Sequence, residues 1–165
     1  MSKNFELKKG VVAEIREKLD RAQSLVLVEY KGLNVEEATD LRNACRDAGV
    51  EYKVYKNNLV KRAAEGTQFE SLANDLTGPN AFAFGYDDPV TPAKVLKEMS
   101  AKAKSLQLKA GVVEGTYFNE DGIREIAEIP SREVLIAKLL GSFNAPISNF
   151  AYLLSNIAEK KEQEA

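Results

Sequence analysis

Apolar positions along the chain follow two rhythms, and the switch between them marks out the elements. Val12, Ile15, Leu19 and Ala22 recur at three- and four-residue steps, which predicts a helix over roughly the first 20 residues. Ser24 to Tyr30 is apolar at successive positions, Leu25-Val26-Leu27-Val28, as a strand covered on both faces requires. Asn34, with Glu37 three residues on, opens a second helix in the capping-box pattern, and Gly49 closes it. Val50 to Tyr55 alternates at period two, a strand with Val50, Tyr52 and Val54 on one face. Asn57 or Asn58 opens a short helix that Gly66 ends, and Thr67 with Glu70 repeats the capping-box pattern for another. Gly78-Pro79 marks a turn before a third strand, Ala81 to Tyr86. Pro89 and Pro92 fit the beginning of a helix that runs to about Lys104. Leu106 to Phe118 reads as one or two strands broken near Gly111 and Gly115, and Asn119 caps a short helix ending by Ile129-Pro130.

Strands and helices therefore alternate, which predicts an α/β fold: an α+β sandwich whose mixed sheet of about four to five strands is flanked by helices. Residues 1–130 form that domain. From 131 to 165 no strand signal remains, and an extended, strongly apolar C-terminal helix is expected, with a polar flexible tail over 159–165. This segment contains an internal repeat. Ile136-Ala137-Lys138-Leu139-Leu140-Gly141-Ser142-Phe143 is matched fourteen residues later by Phe150-Ala151-Tyr152-Leu153-Leu154-Ser155-Asn156-Ile157. Fourteen residues are close to four helical turns, so the two copies share nearly one face. Pro146 falls between them, where a proline should kink or interrupt the helix.

The apolar side chains of this segment, Leu135, Ile136, Leu139, Leu140, Phe143, Ile147, Phe150, Leu153, Leu154 and Ile157, have no further strand to pack on. They either fold back on the domain or dock helical partners in two equivalent units. A membrane-surface role fits less well, because few Lys or Arg side chains are present to meet anionic lipid.

Composition narrows the chemistry. The chain has 165 residues, a net charge of −2, no histidine and a single cysteine. His-based triads and His metal ligands are thus excluded, and no Gly-rich phosphate loop is present. Cys45 lies on the apolar stripe 41, 44, 45 and 48 and is expected to be a packed thiol. No catalytic residue, metal site or cofactor is predicted. With no internal disulfide, no signal-peptide pattern and no membrane-length apolar run, a cytoplasmic chain is expected.

The charge is unevenly placed: residues 1–65 carry 13 basic against 11 acidic side chains. Lys53, Lys56, Lys61 and Arg62, with Asn57 and Asn58, lie in a stretch without an acid, where a strand end runs into a helix start. Helix N-terminal amides favour phosphate and Asn side chains add donors, so RNA binding is one reading and a solvated basic surface the other. Lys31-Gly32 occupies the corresponding loop after the first strand, and Lys3, Lys8 and Lys9 add a third basic contribution.

The ordered set of Tyr30-Lys31-Gly32-Leu33, Leu41-Arg42 through Ala48-Gly49, Tyr52 to Leu59, Gly78-Pro79 and the Ala145-Pro146 helix resembles the bacterial ribosomal stalk-base family, ribosomal protein L ten. The resemblance runs over nearly the whole chain. It implies a structural protein of the large ribosomal subunit whose α/β domain seats on large-subunit rRNA beside ribosomal protein L eleven. It further implies that the C-terminal helix binds dimers of the acidic stalk protein L seven/L twelve, which recruit translational GTPases, and that the chain binds its own messenger leader in feedback. Lys31 and Gly32 match the family's basic-Gly turn, while Lys56, Asn57 and Leu59 match its Lys-Asn-Thr-Leu motif. Asn58 departs where Thr or Ser is usual. The repeat corresponds to two dimers per chain. The alternatives are a ribosome-assembly factor of the same fold, which would not need the duplicated helix, and a small carboxylate-dependent α/β enzyme.

Overall fold

The computed structural model describes residues 3–103, 105–130 and 132–163, leaving aside the side chains of residues 3–5, 132, 147, 151, 154 and 157–163. Among the expected site residues, the side chains of Lys3, Ile147, Leu154 and Ile157 therefore lie outside the described residues. Contacts divide the chain into two compact units, Met1–Ile129 and Pro130–Ala165.

The first unit runs α1 (Lys3–Arg21), β1 (Ser24–Glu29), α2 (Val35–Asp47), β2 (Glu51–Lys53), α3 (Asn57–Ala64), a 3-10 turn (Glu70–Asn74), β3 (Asn80–Gly85), α4 (Thr91–Lys102), β4 (Gln107–Val113), β5 (Thr116–Asn119) and α5 (Glu120–Ile126). Local chemistry sets several of these ends. The Glu37 carboxylate accepts from the Asn34 backbone N–H at 2.9 Å, Asp88 accepts from the Val90 N–H and the Thr91 hydroxyl, and Asn119 accepts from the Gly122 N–H.

The α/β class and a five-stranded sheet match expectation, but the strand directions do not. The order is β2-β3-β1-β4-β5, and every neighbouring pair is antiparallel, so the sheet is not mixed. The helical crossovers explain the difference. β1–α2–β2 joins two strands that run the same way with β3 inserted between them, and β3–α4–β4 does the same around β1. These are split βαβ units, in which strand–helix alternation persists while touching strands run in opposite directions.

The sheet is covered on both faces. Val26 and Val28 enter one apolar layer with Leu41, Cys45, Leu96 and Ile123, supplied by α2, α4 and α5. Leu25 and Leu27 enter the other with Ile15, Leu19, Val60, Leu72, Phe82 and Phe84, supplied by α1, α3, the 3-10 turn and β3, and with Phe69 just before that turn. Cys45 is fully buried, and burial pushes its thiol up to about 11, as an inert packing residue requires.

β2 is shorter than the alternation suggests. It pairs only along Phe82 to Phe84, and Val54, 46% exposed, has already left the layer that holds Val50 and Tyr52. Gly111 does not break its strand. A Cβ there would stand 2.6 Å from Ile123 Cδ1 and 3.0 Å from the Leu25 carbonyl oxygen, so glycine is what lets α5 close on β4. The break falls at Glu114–Gly115, between β4 and β5.

A polar clamp joins α1 to the β2 edge. The Lys18 ammonium donates to Glu14 at 2.7 Å, Glu51 at 2.8 Å and the Tyr55 hydroxyl at 2.9 Å, while Tyr86 donates to Glu51 at 2.6 Å. Partial burial disfavours the Lys18 charge, but these three partners overrule it and hold its pKa raised. Burial likewise works against the Glu51 charge, and the bonds from Lys18 and Tyr86 prevail to hold its carboxyl below the ordinary value.

The second unit contains α6, Arg132–Gln163, with Pro146 inside it. The interruption expected at the proline is absent from the hydrogen-bonded helix. Proline removes one N–H, hence one bond to the preceding turn, and helix-favouring Leu and Ala on both sides sustain the rest. Residues 159–163 continue the same helix, in keeping with the helix propensity of Glu, Lys and Gln.

Glu51→Gln should lower stability at pH 7 by about 1.5–3 kcal/mol, the range for hydrogen bonds to charged groups. Because the folded carboxyl is depressed, the stabilisation is complete above the unfolded value of roughly 4.3 and is lost as pH falls through the folded value. Urea midpoints of parent and variant should therefore converge on acidification; a difference that stays constant down to pH 3 would remove the clamp from the fold's stability.

Candidate nucleic-acid interface and docking helix

Gly78 adopts φ +79, a conformation that glycine reaches without strain. The turn it makes exposes three successive carbonyl oxygens, and each takes a donor from a different part of the fold. Thr77 O accepts from Lys109 Nζ at 2.6 Å, Gly78 O from Asn57 Nδ2 at 2.8 Å, and Pro79 O from the Tyr30 N–H at 3.3 Å. Lys109 is held as well by Glu29 at 3.3 Å and Asn80 Oδ1 at 3.3 Å. It reaches this position because β4 carries a bulge: Leu27 pairs with Ala110 and Val28 with Leu108, so Lys109 is the extra residue.

This turn fixes the loop after β1 and the start of α3 at one end of the sheet. Lys31 and Gly32 are exposed in the first, Lys56 and Asn58 in the second, and Lys61 and Arg62 follow on α3. Lys8, Lys31, Lys56, Lys61 and Arg62 have no ion-pair partner among the described residues. Lys53 differs, lying 3.9 Å from Glu51 at the end of β2. Asn57 differs too, because its amide nitrogen is engaged by Gly78, and it anchors α3 while its side-chain oxygen faces no partner of its own among the described residues.

Lys8 and Lys9 do not belong to that rim directly. They line a cleft between α1 and α3 with Val12, Ala13, Arg16, Leu59 and Arg62, of about 360 Å³. Arg62 thus links the α1 cations to the basic stretch of α3. Sequence reasoning missed Arg16, whose spacing from Val12 and Lys9 would have put it on the same helical face. It also missed Arg42 and Arg46, one turn apart on α2, which line a second groove of about 380 Å³ with Lys53. Lys109 gave no local signal, since only the bulge turns it toward the rim.

The apolar side chains expected to dock partners are exposed wherever α6 is described: Leu135, Ile136, Leu139 and Leu140, with Phe143 at 68%, Phe150 at 64% and Leu153 at 59%. At 1.5 Å rise and 100° per residue, the two copies of the repeat lie about 21 Å apart along the axis and within about 40° of one direction. Among the described residues no group of His, Cys, Asp or Glu could hold a metal ion, and no helix is long and apolar enough to cross a membrane.

Two family descriptions match the chain: "Ribosomal protein L10" over residues 3–101 and "Ribosomal protein uL10 C-terminal region" over residues 129–165. Similar proteins include the large ribosomal subunit protein uL10 of Alkaliphilus metalliredigens, 55% identical with all of both chains covered. That of Alkaliphilus oremlandii is 57% identical over 99% of this chain and 98% of the relative. That of Bacillus cereus is 48% identical over 99% of each.

Proposed function

From the premise that the chain belongs to the ribosomal protein L ten family, whose members are structural ribosomal proteins and not enzymes, we propose that it forms the base of the stalk on the large subunit. Its first unit binds large-subunit rRNA beside ribosomal protein L eleven. Its α6 anchors dimers of the acidic stalk protein L seven/L twelve, which in turn engage translational GTPases. The same RNA-binding surface serves feedback on the chain's own messenger leader.

The observation that carries this reading is the exposed apolar repeat on α6. Burying a large apolar side chain contributes roughly 1.5–3 kcal/mol, so a run of them in water is a strong drive toward partner helices. Two units about 21 Å apart suit two dimers per chain. An assembly factor of the same fold would have no use for the duplication. The rRNA half rests on the rim, where Lys31, Lys56, Lys61 and Arg62 are held on a fixed frame and are not neutralised by carboxylates among the described residues. Such cations exchange bound counterions for phosphate contacts.

Removing residues 132–165 should abolish binding of the acidic stalk protein while leaving rRNA affinity within a factor of about two, since additivity holds between independent sites. Native mass of the full-length complex should correspond to two dimers. Loss of both activities from a chain that still folds would contradict the two-part division.

Lys56→Ala with Lys61→Ala should weaken rRNA binding and reduce the slope of log affinity against log salt by roughly 0.7–0.9 per lysine. An unchanged slope would move the RNA contact to another surface.

A further inference from the structure

The cleft between α1 and α3 differs from the rest of the basic surface because it has an apolar floor. Val12, Ala13 and Leu59 form that floor, Lys8, Lys9, Arg16 and Arg62 surround it, and among the described residues no carboxylate lines it. Val12 and Leu59 are half-buried against the layer that holds Ile15 and Val60, so the floor is held by the core. A phosphate track needs only cations; an apolar floor beneath them calls for a ligand that is flat and weakly hydrated on one side and anionic on the other.

We propose that this cleft receives an unpaired nucleotide of the bound RNA, its base laid on Val12, Ala13 and Leu59 and its flanking phosphates held by Lys8, Arg16 and Arg62. The inference rests on the rRNA reading above and specifies what that surface recognises. A paired A-form helix keeps its base faces stacked inside and offers a protein mostly phosphate and ribose. A looped or bulged nucleotide exposes the face that the floor matches, and a guanidinium plane from Arg16 or Arg62 can stack on its other side. The volume of about 360 Å³ lies within the range of small-ligand sites. An acidic amphipathic helix is the competing occupant; among the described residues the α3 wall of the cleft runs only from Leu59 to Arg62, one helical turn, short for the several turns that helix-in-groove docking uses.

The test uses the full chain and two RNA probes: the stalk-base segment of large-subunit rRNA, and a variant of it with every bulge and loop closed into continuous duplex. Ala13 is exposed on α1, so Ala13→Leu fills the cleft without disturbing the core. Affinity for the first probe should fall roughly 10-fold in Ala13→Leu with the salt slope unchanged, because stacking is lost and phosphate contacts remain. Arg16→Ala should lower affinity and also flatten the slope by roughly 0.7, the value for a single-strand phosphate. The parent should prefer the first probe to the duplex, and Ala13→Leu should lose that preference.

Equal binding of both probes by the parent, or an Ala13→Leu chain that binds RNA like the parent, overturns the proposal. In that case a flattened slope in Lys56→Ala/Lys61→Ala still leaves the rRNA reading standing. If Ala13→Leu leaves RNA binding intact and abolishes binding of ribosomal protein L eleven, the cleft is a protein site and the proposal fails in that way. A parent chain that binds neither probe removes the rRNA reading and this inference together.

Discussion

Three adjacent carbonyl oxygens, on Thr77, Gly78 and Pro79, bear the arrangement of the candidate RNA surface. Each could have been left to water at an exposed turn. Instead they take an ammonium from the β4 bulge, a side-chain amide from the first turn of α3, and a backbone N–H from the loop after β1. Segments more than twenty residues apart in sequence are thereby held in one frame, and the charged bond from Lys109 is the strongest kind available to a carbonyl. The cations that face solvent on this frame do not have to be ordered at the moment of binding to the same extent as cations on a free loop. That saving in conformational entropy is what turns a cluster of lysines into a surface with a shape.

The frame also explains why a chain with net charge −2 can present a basic surface. Two carboxylates near this end of the sheet are occupied internally, Glu29 by Lys109 and Asp75 by the Tyr117 hydroxyl, while Glu51, toward the opposite end of β3, is held by Lys18. Lys31, Lys56, Lys61 and Arg62 are left without such partners among the described residues. At physiological salt, charges beyond about 8 Å contribute little, so the pairing pattern within the rim outweighs the total over the chain. The low sequence pI is a statement about the whole surface and does not describe this one.

Periodicity made the elements legible. The apolar run of β1, the stripe of α1 and the caps at Asn34 and Asn119 are local signals, and each describes a residue's own few neighbours. Strand order was not legible, because split and unsplit βαβ units produce the same alternation of strand and helix. The bulge at Lys109 escaped for a related reason: it is defined by the partner strand, where one step on β1 faces two on β4. Asn57 shows the limit most clearly. Its place at the head of a basic helix suggested an outward donor, yet its amide nitrogen turns inward to Gly78, a residue twenty-one positions away. Arg16 is the opposite case, since its helical spacing was visible but was overlooked beside the denser basic stretch on α3. The course of α6 through Pro146 was also illegible, because a proline's local cost does not reveal whether the flanking turns can carry it.

The two candidate surfaces differ in the physics that would hold their partners, and this bears on how a stalk base could work. Binding at the rim would act through counterion release and would weaken steeply as salt rises. Docking on the α6 repeat would act through apolar burial, which ordinary screening does not reduce and which excluded salts such as sulfate strengthen. A protein that seats on RNA with one and holds protein helices with the other can keep the stalk dimers attached under conditions that loosen its own seat. The apolar repeat then has to be covered whenever the chain is folded, because its exposure does not change with ionic strength. On the proposed reading, acidic partners would suit such a segment: they would bury its apolar residues and bring a charge that keeps them away from RNA at the rim.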